Sequence, residues 1–224
     1  MRAILTRFLH AAGHGLRLRR LVAIATRREP FRSEHVSLGL GRDLDVPFAA
    51  PAAKIPLRVR PIEARDLPLL APPSPETLSE EELGDVRNRT VLATSGAGHG
   101  FVAVGDDDRP CYVQWLLGPE DLERVRWHFG ELIPRLRPDE MVLEGAYTVE
   151  RSRGQGVMAA AMATIAERAG PLGARRVITF TGESNIASIK GCRRAGFSPY
   201  IRRMDRRSGL RRSVTSLPVN ETYG

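Results

Sequence analysis

The sequence contains few cysteines and no long apolar run. Its 224 residues include only Cys111 and Cys192, too few for a disulfide framework or a multi-cysteine zinc cluster. No apolar stretch approaches the ~20 residues that a membrane-spanning helix requires. With 42% hydrophobic residues the chain can bury a real core. We therefore expect one globular domain plus an extension, a cytoplasmic setting and no metal site.

Lysine and aromatic residues are also scarce. The formal net charge is +8, and Lys54 and Lys190 are the only lysines among 34 basic residues. An arginine excess favours an anionic partner, such as nucleic acid, anionic lipid or a phosphorylated cofactor. The alternative is a coding bias toward arginine that has no functional meaning. Aromatic residues, which stack on bases, make up only 6% of the chain. Because no recognised nucleic-acid motif is present, we expect no nucleic-acid partner.

Residues 1–30 form a basic segment that differs in composition from the rest of the chain. Seven arginines precede the first acid, Glu29, and apolar residues from Ile4 to Leu16 recur at helical spacing. Three interpretations stay open: an arm packed on the domain or a partner, a peripheral membrane helix, or a transit peptide. The proline-rich stretch 48–56 is typical of a linker. We divide the chain into an extension and linker, 1–50, and a domain, 51–224.

Strands and helices alternate through the domain. Period-2 patterns predict strands at "LRVRP", on both sides of the turn Gly105–Pro110, at "MVLEGAYTV" and at "RRVITF", with a terminal hairpin from Ser198. Helical spacing predicts helices at 74–89, 119–133, 157–169 and 185–196. This alternation predicts an α+β (α/β) fold with a mixed central sheet flanked by helices.

The stretch "ERSRGQGVMAAAMATIAERAG" joins a glycine-rich, cationic turn to a small-residue helix. Such a turn presents unpaired backbone N–H groups where the helix dipole also favours negative charge. Glycine lets an anion approach the backbone closely, and arginine adds charge-assisted hydrogen bonds. The pattern therefore predicts a site for a phosphate or pyrophosphate. It lacks the third glycine of a dinucleotide fingerprint and the lysine of a P-loop.

A second motif follows about thirty residues later, "NIASIKGCRRAGF". Together with Arg151, Gly154 and Gly156 in the pattern Gln/Arg-x-x-Gly-x-Gly/Ala, it resembles the GNAT superfamily of N-acetyltransferases. The resemblance covers about Leu57 to Leu217 and implies a GNAT-like acyltransferase fold that binds acetyl-CoA. It also implies a set of coenzyme-binding residues: Val149, Arg151, Arg153, Gly154, Gln155, Gly156, Val157, Met158, Asn185 and Ser188.

The resemblance also suggests catalytic roles. The main-chain amide of Val149 would polarise the acyl carbonyl. Glu144, the one carboxylate inside its strand, would be the base that deprotonates the amine. The sequence supports equally well that Glu144 is an exposed strand residue without a catalytic role. Many relatives place a tyrosine where this chain has Cys192, so the donor to the departing thiolate is either that thiol or Tyr200 from the next strand.

The sequence thus predicts an N-acetyltransferase that moves the acetyl group of acetyl-CoA to a small amine, such as an amino sugar, amino acid or polyamine. Two alternatives stay open. One is a transferase of a longer acyl chain. The other is a catalytically silent coenzyme A-binding sensor or assembly domain, which the missing tyrosine favours. The sequence leaves the oligomeric state open, a homodimer included.

Overall fold

Eight strands and four α-helices occur in the part of the chain that the computed structural model describes, residues 32–70, 78–130, 133–208 and 211–219. The strands are β1 (Arg32–Asp43), β2 (Arg58–Pro61), β3 (His99–Val104), β4 (Pro110–Leu117), β5 (Glu140–Thr148), β6 (Arg176–Gly182), β7 (Ser198–Ser208) and β8 (Arg211–Pro218). The helices are α1 (Glu80–Ser95), α2 (Pro119–Phe129), α3 (Val157–Glu167) and α4 (Ile186–Arg194). The predicted α+β class with a mixed central sheet is confirmed.

The strands form one sheet in the order β2-β3-β4-β5-β6-β1-β7-β8. Strands β5 and β6 are parallel, whereas β1 pairs antiparallel with β6, from Ser37 opposite Gly182 to Asp43 opposite Arg176. The sequence analysis did not predict β1. Because β1 lies inside the sheet, the sheet begins before the boundary that we placed after residue 50.

Two apolar clusters pack on opposite faces of this sheet. On one face, which we call the α3 face, Val157 and Met162 of α3 and Cys192 of α4 pack against β1, β4 and β5. On the other, the α1 face, Leu92 of α1 and Val125 of α2 pack against the opposite side of the strands. A ligand that uses residues of both faces must therefore reach them through a gap in the sheet.

The chain divides into two compact units. The larger one, 36–203 and 216–224, carries all the residues predicted for the site. The smaller one comprises 1–35 and 204–215, and in its described part ion pairs join Arg206 to Glu34 and Arg212 to Asp205. The predicted basic helix within 1–30 lies outside the described residues. Of the described helices, none has the length and apolar character needed to span a bilayer.

Candidate functional site

A gap in the sheet opens between β5 and β6. The two strands pair only from Glu140 opposite Arg176 to Leu143 opposite Thr179. At that last pair the Thr179 hydroxyl donates a hydrogen bond to the Leu143 carbonyl, at 2.9 Å. Beyond it both strands continue without pairing to each other. A crevice at the carboxyl ends of parallel strands is the usual ligand position in open α/β sheets.

A bulge in β5 turns two polar side chains to the same face at this gap. The register between β4 and β5 shifts opposite Gly145, which has φ 69°. A Cβ at Gly145 would lie 2.9 Å from Cδ1 of Leu92, so the close approach of α1 and the positive φ both require glycine. Because of the extra residue, Glu144 and Tyr147 both face α1, although they are three residues apart.

The glycine-rich turn at the start of α3 presents a row of free backbone donors. Gly154 and Gly156 have φ 73° and 77°, and a Cβ at Gly154 would meet nothing within 4 Å. The first helical hydrogen bond runs from Ala160 to Gly156, and the N–H groups of residues 154–159 have no acceptor among the described residues. Open space in front of unpaired N–H groups at a helix N-terminus is suited to a diphosphate.

The long side chains of the turn brace the main chain instead of pointing freely outward. Arg151 donates to the carbonyl of Pro110 at 3.0 Å, and Gln155 Nε2 donates to the carbonyl of Arg151 at 3.0 Å. Arg153 Nε lies 3.3 Å from the carbonyl of Thr148. The backbone is therefore the main source of donors here. A direct contribution of these three side chains to coenzyme binding stays a prediction, as do the roles of Val157 and Met158.

The segment 51–57, of which the sequence analysis assigned 51–56 to a linker, runs beside this turn. The N–H of Lys54 donates to the carbonyl of Gln155 at 2.8 Å. Between this segment and α3 lies a groove of about 530 Å³, whose α3 wall consists of Ala160, Ala161 and Thr164. The small residues of α3 thus leave room next to the donors.

The second motif forms the start of α4. The Asn185 side chain accepts a hydrogen bond from the N–H of Ser188 at 3.0 Å and so caps the helix. Close packing follows at Gly191, where a Cβ would lie 2.7 Å from Sδ of Met158 in α3. The structure thus explains Asn185 as a helix cap, and coenzyme contacts of Asn185 and Ser188 stay predictions.

The predicted oxyanion donor is already engaged in the sheet. The N–H of Val149 donates to the carbonyl of Cys111 on β4, at 3.0 Å, and is not available for a ligand. Residue 148 pairs with residue 112 in the regular antiparallel register of β4 and β5. Because alternate N–H groups in such a ladder point to opposite edges, the N–H of Thr148 points toward the gap. This N–H, not that of Val149, lies where an acyl carbonyl could be polarised.

Glu144 lies directly after the last residue of β5 that pairs with β6. Its partner on β4 is Trp115, which is almost fully buried. Desolvation raises the pKa of Glu144 to about 8, with a smaller contribution from the charge of Asp85, while the Gly145 N–H lowers it. A carboxyl group with such a pKa can accept a proton near neutral pH. The base role of Glu144 stays a prediction that this geometry favours.

The two candidates for the thiolate's proton donor lie on opposite faces of the sheet. Cys192 is buried in the α3-face cluster, and burial raises the pKa of its thiol to about 11. Tyr200 packs at the α1-face cluster, with the Arg176 guanidinium 4.3 Å from its ring centre, and burial raises the pKa of its phenol to about 12. Since the N–H groups predicted to bind coenzyme A lie at the start of α3, Cys192 lies on their side of the sheet and Tyr200 does not.

We expect both cysteines to resist thiol reagents in the native protein. Cys111 is 6% exposed and Cys192 1% exposed, and a thiol with a pKa near 11 is only about one part in a thousand ionised at pH 8. Titration with a chromogenic disulfide should detect almost no thiol in buffer and two per chain in guanidinium chloride. Rapid reaction of either thiol in the native protein would contradict the buried position of that cysteine.

Sequence reasoning missed Arg89, a buried cation on α1 that faces Tyr147. A signal was present: Arg89 lies three residues before Leu92 in the stripe that faces the sheet, where an apolar side chain is the rule. The sequence analysis also did not consider the Thr148 amide, because a main-chain donor has no side-chain signature. The segment 51–57 was missed since its role depends on contacts with α3.

Comparison with known proteins bears on this site. The model of the Acetyltransferase (GNAT) family matches residues 67–197, which include α1, the bulged strand β5, the glycine-rich turn and all of α4. The match covers more than half of the chain. A search of curated proteins returned no match.

Several solved structures are similar to this chain. A functionally unknown conserved protein from Staphylococcus epidermidis superposes with a TM-score of 0.51 at 10% identity, over 80% of this chain and 63% of that one. A GNAT-family acetyltransferase from Colwellia psychrerythraea (TM-score 0.49, 13% identity, 90% and 62%) and a GCN5-related N-acetyltransferase from Sphaerobacter thermophilus (0.49, 16%, 84% and 56%) are also similar. The chain spans less than two thirds of each of these three proteins.

Proposed function

The chain belongs to the GNAT acetyltransferase family, and from this we propose that it transfers the acetyl group of acetyl-CoA to the amine of a small-molecule acceptor. One observation carries the proposal. The N–H groups of residues 154–159, which have no acceptor among the described residues, lie at the start of α3. They lie at the same sheet edge where β5 and β6 separate. A diphosphate bound there would leave the thioester end of the coenzyme free to enter the gap.

The residues present fit such a ligand. Gly154 leaves open space in front of the N–H row, and the helix N-terminus favours an anion. Acetyl-CoA, when bound, supplies an acetyl group activated as a thioester. The N–H of Thr148 is directed to the gap and would donate to the acyl oxygen as negative charge develops on it.

Glu144 would accept the amine proton from the α1 face. The amine nitrogen bonds to the acyl carbon, the carbon–sulfur bond breaks, and the sulfur leaves as thiolate. Cys192 is the candidate hydrogen-bond donor on the side where that sulfur would lie. The raised pKa of Glu144 makes the proton transfer effective near neutral pH, since the base is most efficient close to its own pKa.

Calorimetry and a thiol-release assay test this function together. We expect coenzyme A to bind the folded protein, and acetyl-CoA to release thiol only in the presence of an amine. The panel should contain amino sugars, amino acids and polyamines, and octanoyl-CoA should be compared with acetyl-CoA. Binding without thiol release for any amine would instead favour the sensor or assembly domain. Failure of folded protein to bind coenzyme A would overturn the proposal.

We also propose that the enzyme is cytoplasmic, with peripheral membrane contact. A cytoplasmic protein has access to acetyl-CoA, and the arginine-rich segment 1–30 would allow peripheral contact with anionic lipid. We propose that the acceptor is a small molecule and that the protein has no nucleic-acid partner. The proposal is compatible with a homodimer, and the transfer requires no metal.

A further inference from the structure

Arg89 is a cation buried where its helix should be apolar. It lies on α1 with 5% of its surface exposed, one turn before Leu92, which is 1% exposed. Desolvation lowers the pKa of Arg89. Burying an arginine costs several kcal/mol unless a carboxylate compensates its charge. A compensating group is therefore expected.

Among the described residues, the group in contact with the Arg89 guanidinium is an aromatic ring. The guanidinium lies 4.5 Å from the ring centre of Tyr147, and Arg89 Nε, like Nε of Arg42 and Arg60, has no hydrogen-bond partner among the described residues. The hydrogen bonds and ion pairs found among the described residues include none with the Arg89 side chain. By contrast, the buried Arg60 forms two bonds with Asp66, at 2.7 and 2.9 Å, and the buried Arg42 is paired with Glu167.

The Arg89 side chain lies next to the bulge that carries Glu144. A Cβ at Gly145 would lie 3.5 Å from Cγ of Arg89, so the side chain runs alongside the residue that follows Glu144. Asp85, one turn before Arg89 on α1, acts electrostatically on both Arg89 and Glu144. A cationic group and two acidic ones therefore share one small area on the α1 face of the gap.

We propose that Arg89 binds a carboxylate of the acceptor, so that the acceptor is an amino acid or a similar amine that carries a carboxylate. The proposal rests on the proposed function, whose acceptor class it narrows. The planar guanidinium matches a carboxylate in shape, and the acceptor would supply the carboxylate contact that Arg89 lacks among the described residues. Glu144 suits the ammonium end of the same molecule, and the acidic groups of Asp85 and Glu144 disfavour a dianionic phosphate.

A set of related acceptors tests the preference. Thiol release from acetyl-CoA should be compared for free amino acids, the amides of the same amino acids, the corresponding decarboxylated amines, glucosamine, glucosamine 6-phosphate and spermidine. We expect kcat/KM for the best amino acid to exceed that of its amide by about 10- to 100-fold, as for a charged hydrogen-bonded pair. Preference for an amide, polyamine, neutral sugar or sugar phosphate would overturn the proposal.

Substitution of Arg89 separates a binding role from a structural one. Arg89→Gln should raise KM for the amino acid about 10- to 100-fold with a smaller change in kcat, and should reduce the acid-to-amide ratio to near one. Arg89→Lys, which keeps the charge, should restore part of that ratio. Arg87→Gln, which removes an exposed arginine from the same helix, is the matched control and should match the wild type.

The outcomes distinguish this inference from the proposed function. Since the ion pairs among the described residues include none with Arg89, Arg89→Gln should not lower the melting temperature. A lower melting temperature with equal loss for all acceptors would show a structural role and overturn the inference. Coenzyme A binding, measured on the same preparations, should be unchanged in Arg89→Gln. If the wild type binds no coenzyme A, the proposed function fails first.

Discussion

Gly154→Asp is expected to abolish coenzyme A binding while the protein stays folded. The new carboxylate would lie among the N–H groups of residues 154–159, would accept their hydrogen bonds and would repel a diphosphate. Like charges brought together in a binding site cost several kcal/mol, so we expect Kd to rise by about 100-fold or more. Calorimetric titration with coenzyme A measures this effect directly.

Gly173→Asp is the matched control. Gly173 also has a positive φ, 92°, and a Cβ there would meet nothing within 4 Å, but it follows the carboxyl end of α3. Both substitutions introduce the same charge and the same left-handed strain, about 1–2 kcal/mol, and should lower the melting temperature alike. Equal coenzyme A affinity in the two variants would refute a diphosphate site at Gly154.

Glu144→Gln is expected to lower kcat by about 10²- to 10⁴-fold, the usual contribution of a general base. The amide cannot accept the proton, whereas side-chain volume and the hydrogen bond from Gly145 are nearly preserved. In the wild type the base is active only when ionised, so kcat/KM should rise with pH through about 8. The variant should lose this rise. Glu150→Gln, an exposed carboxylate just beyond the same strand, should behave as the wild type.

The same carboxyl group links stability to pH. In the folded protein the pKa of Glu144 is about 8 and its ordinary value is 4.5. Between these values the unfolded chain releases the proton and the folded chain retains it, so the free energy of unfolding falls as pH rises from about 4.5 to 8. Thermal melts of wild type and Glu144→Gln over this range should diverge. Parallel curves would show that Glu144 is not desolvated.

Much of the coenzyme side of the site could be predicted from the sequence because its signals are local. Gly154 and Gly156 can adopt positive φ at no cost, and the small residues that follow form a helix, so turn and α3 were both predicted. Asn185 has the short polar side chain of an N-cap, and α4 begins after it. Such features depend on a few neighbouring residues and not on the rest of the fold.

The remaining features depend on partners distant in the chain. Val36, Leu38 and Leu40 alternate as in a strand, but whether β1 joins the sheet depends on β6. The resemblance implied a donor role for the N–H of Val149, but this N–H is bonded to Cys111 within the sheet, and the register of β4 and β5 directs the N–H of Thr148 to the gap instead. The burial of Arg89 depends on how closely α1 approaches β5. Sequence patterns do not show which distant segments of the chain come into contact.

The insertion of β1 into the sheet affects how the protein is made. On a ribosome β1 is synthesised before its partner β6, which follows only after more than a hundred further residues, since Ser37 pairs with Gly182. Pairings of such long sequence separation form slowly, and until β6 is made that edge of β1 stays unpaired. A fragment cut to residues 67–197 would keep β5 beside β6 but would lose β1, so one edge of β6 would be left unpaired.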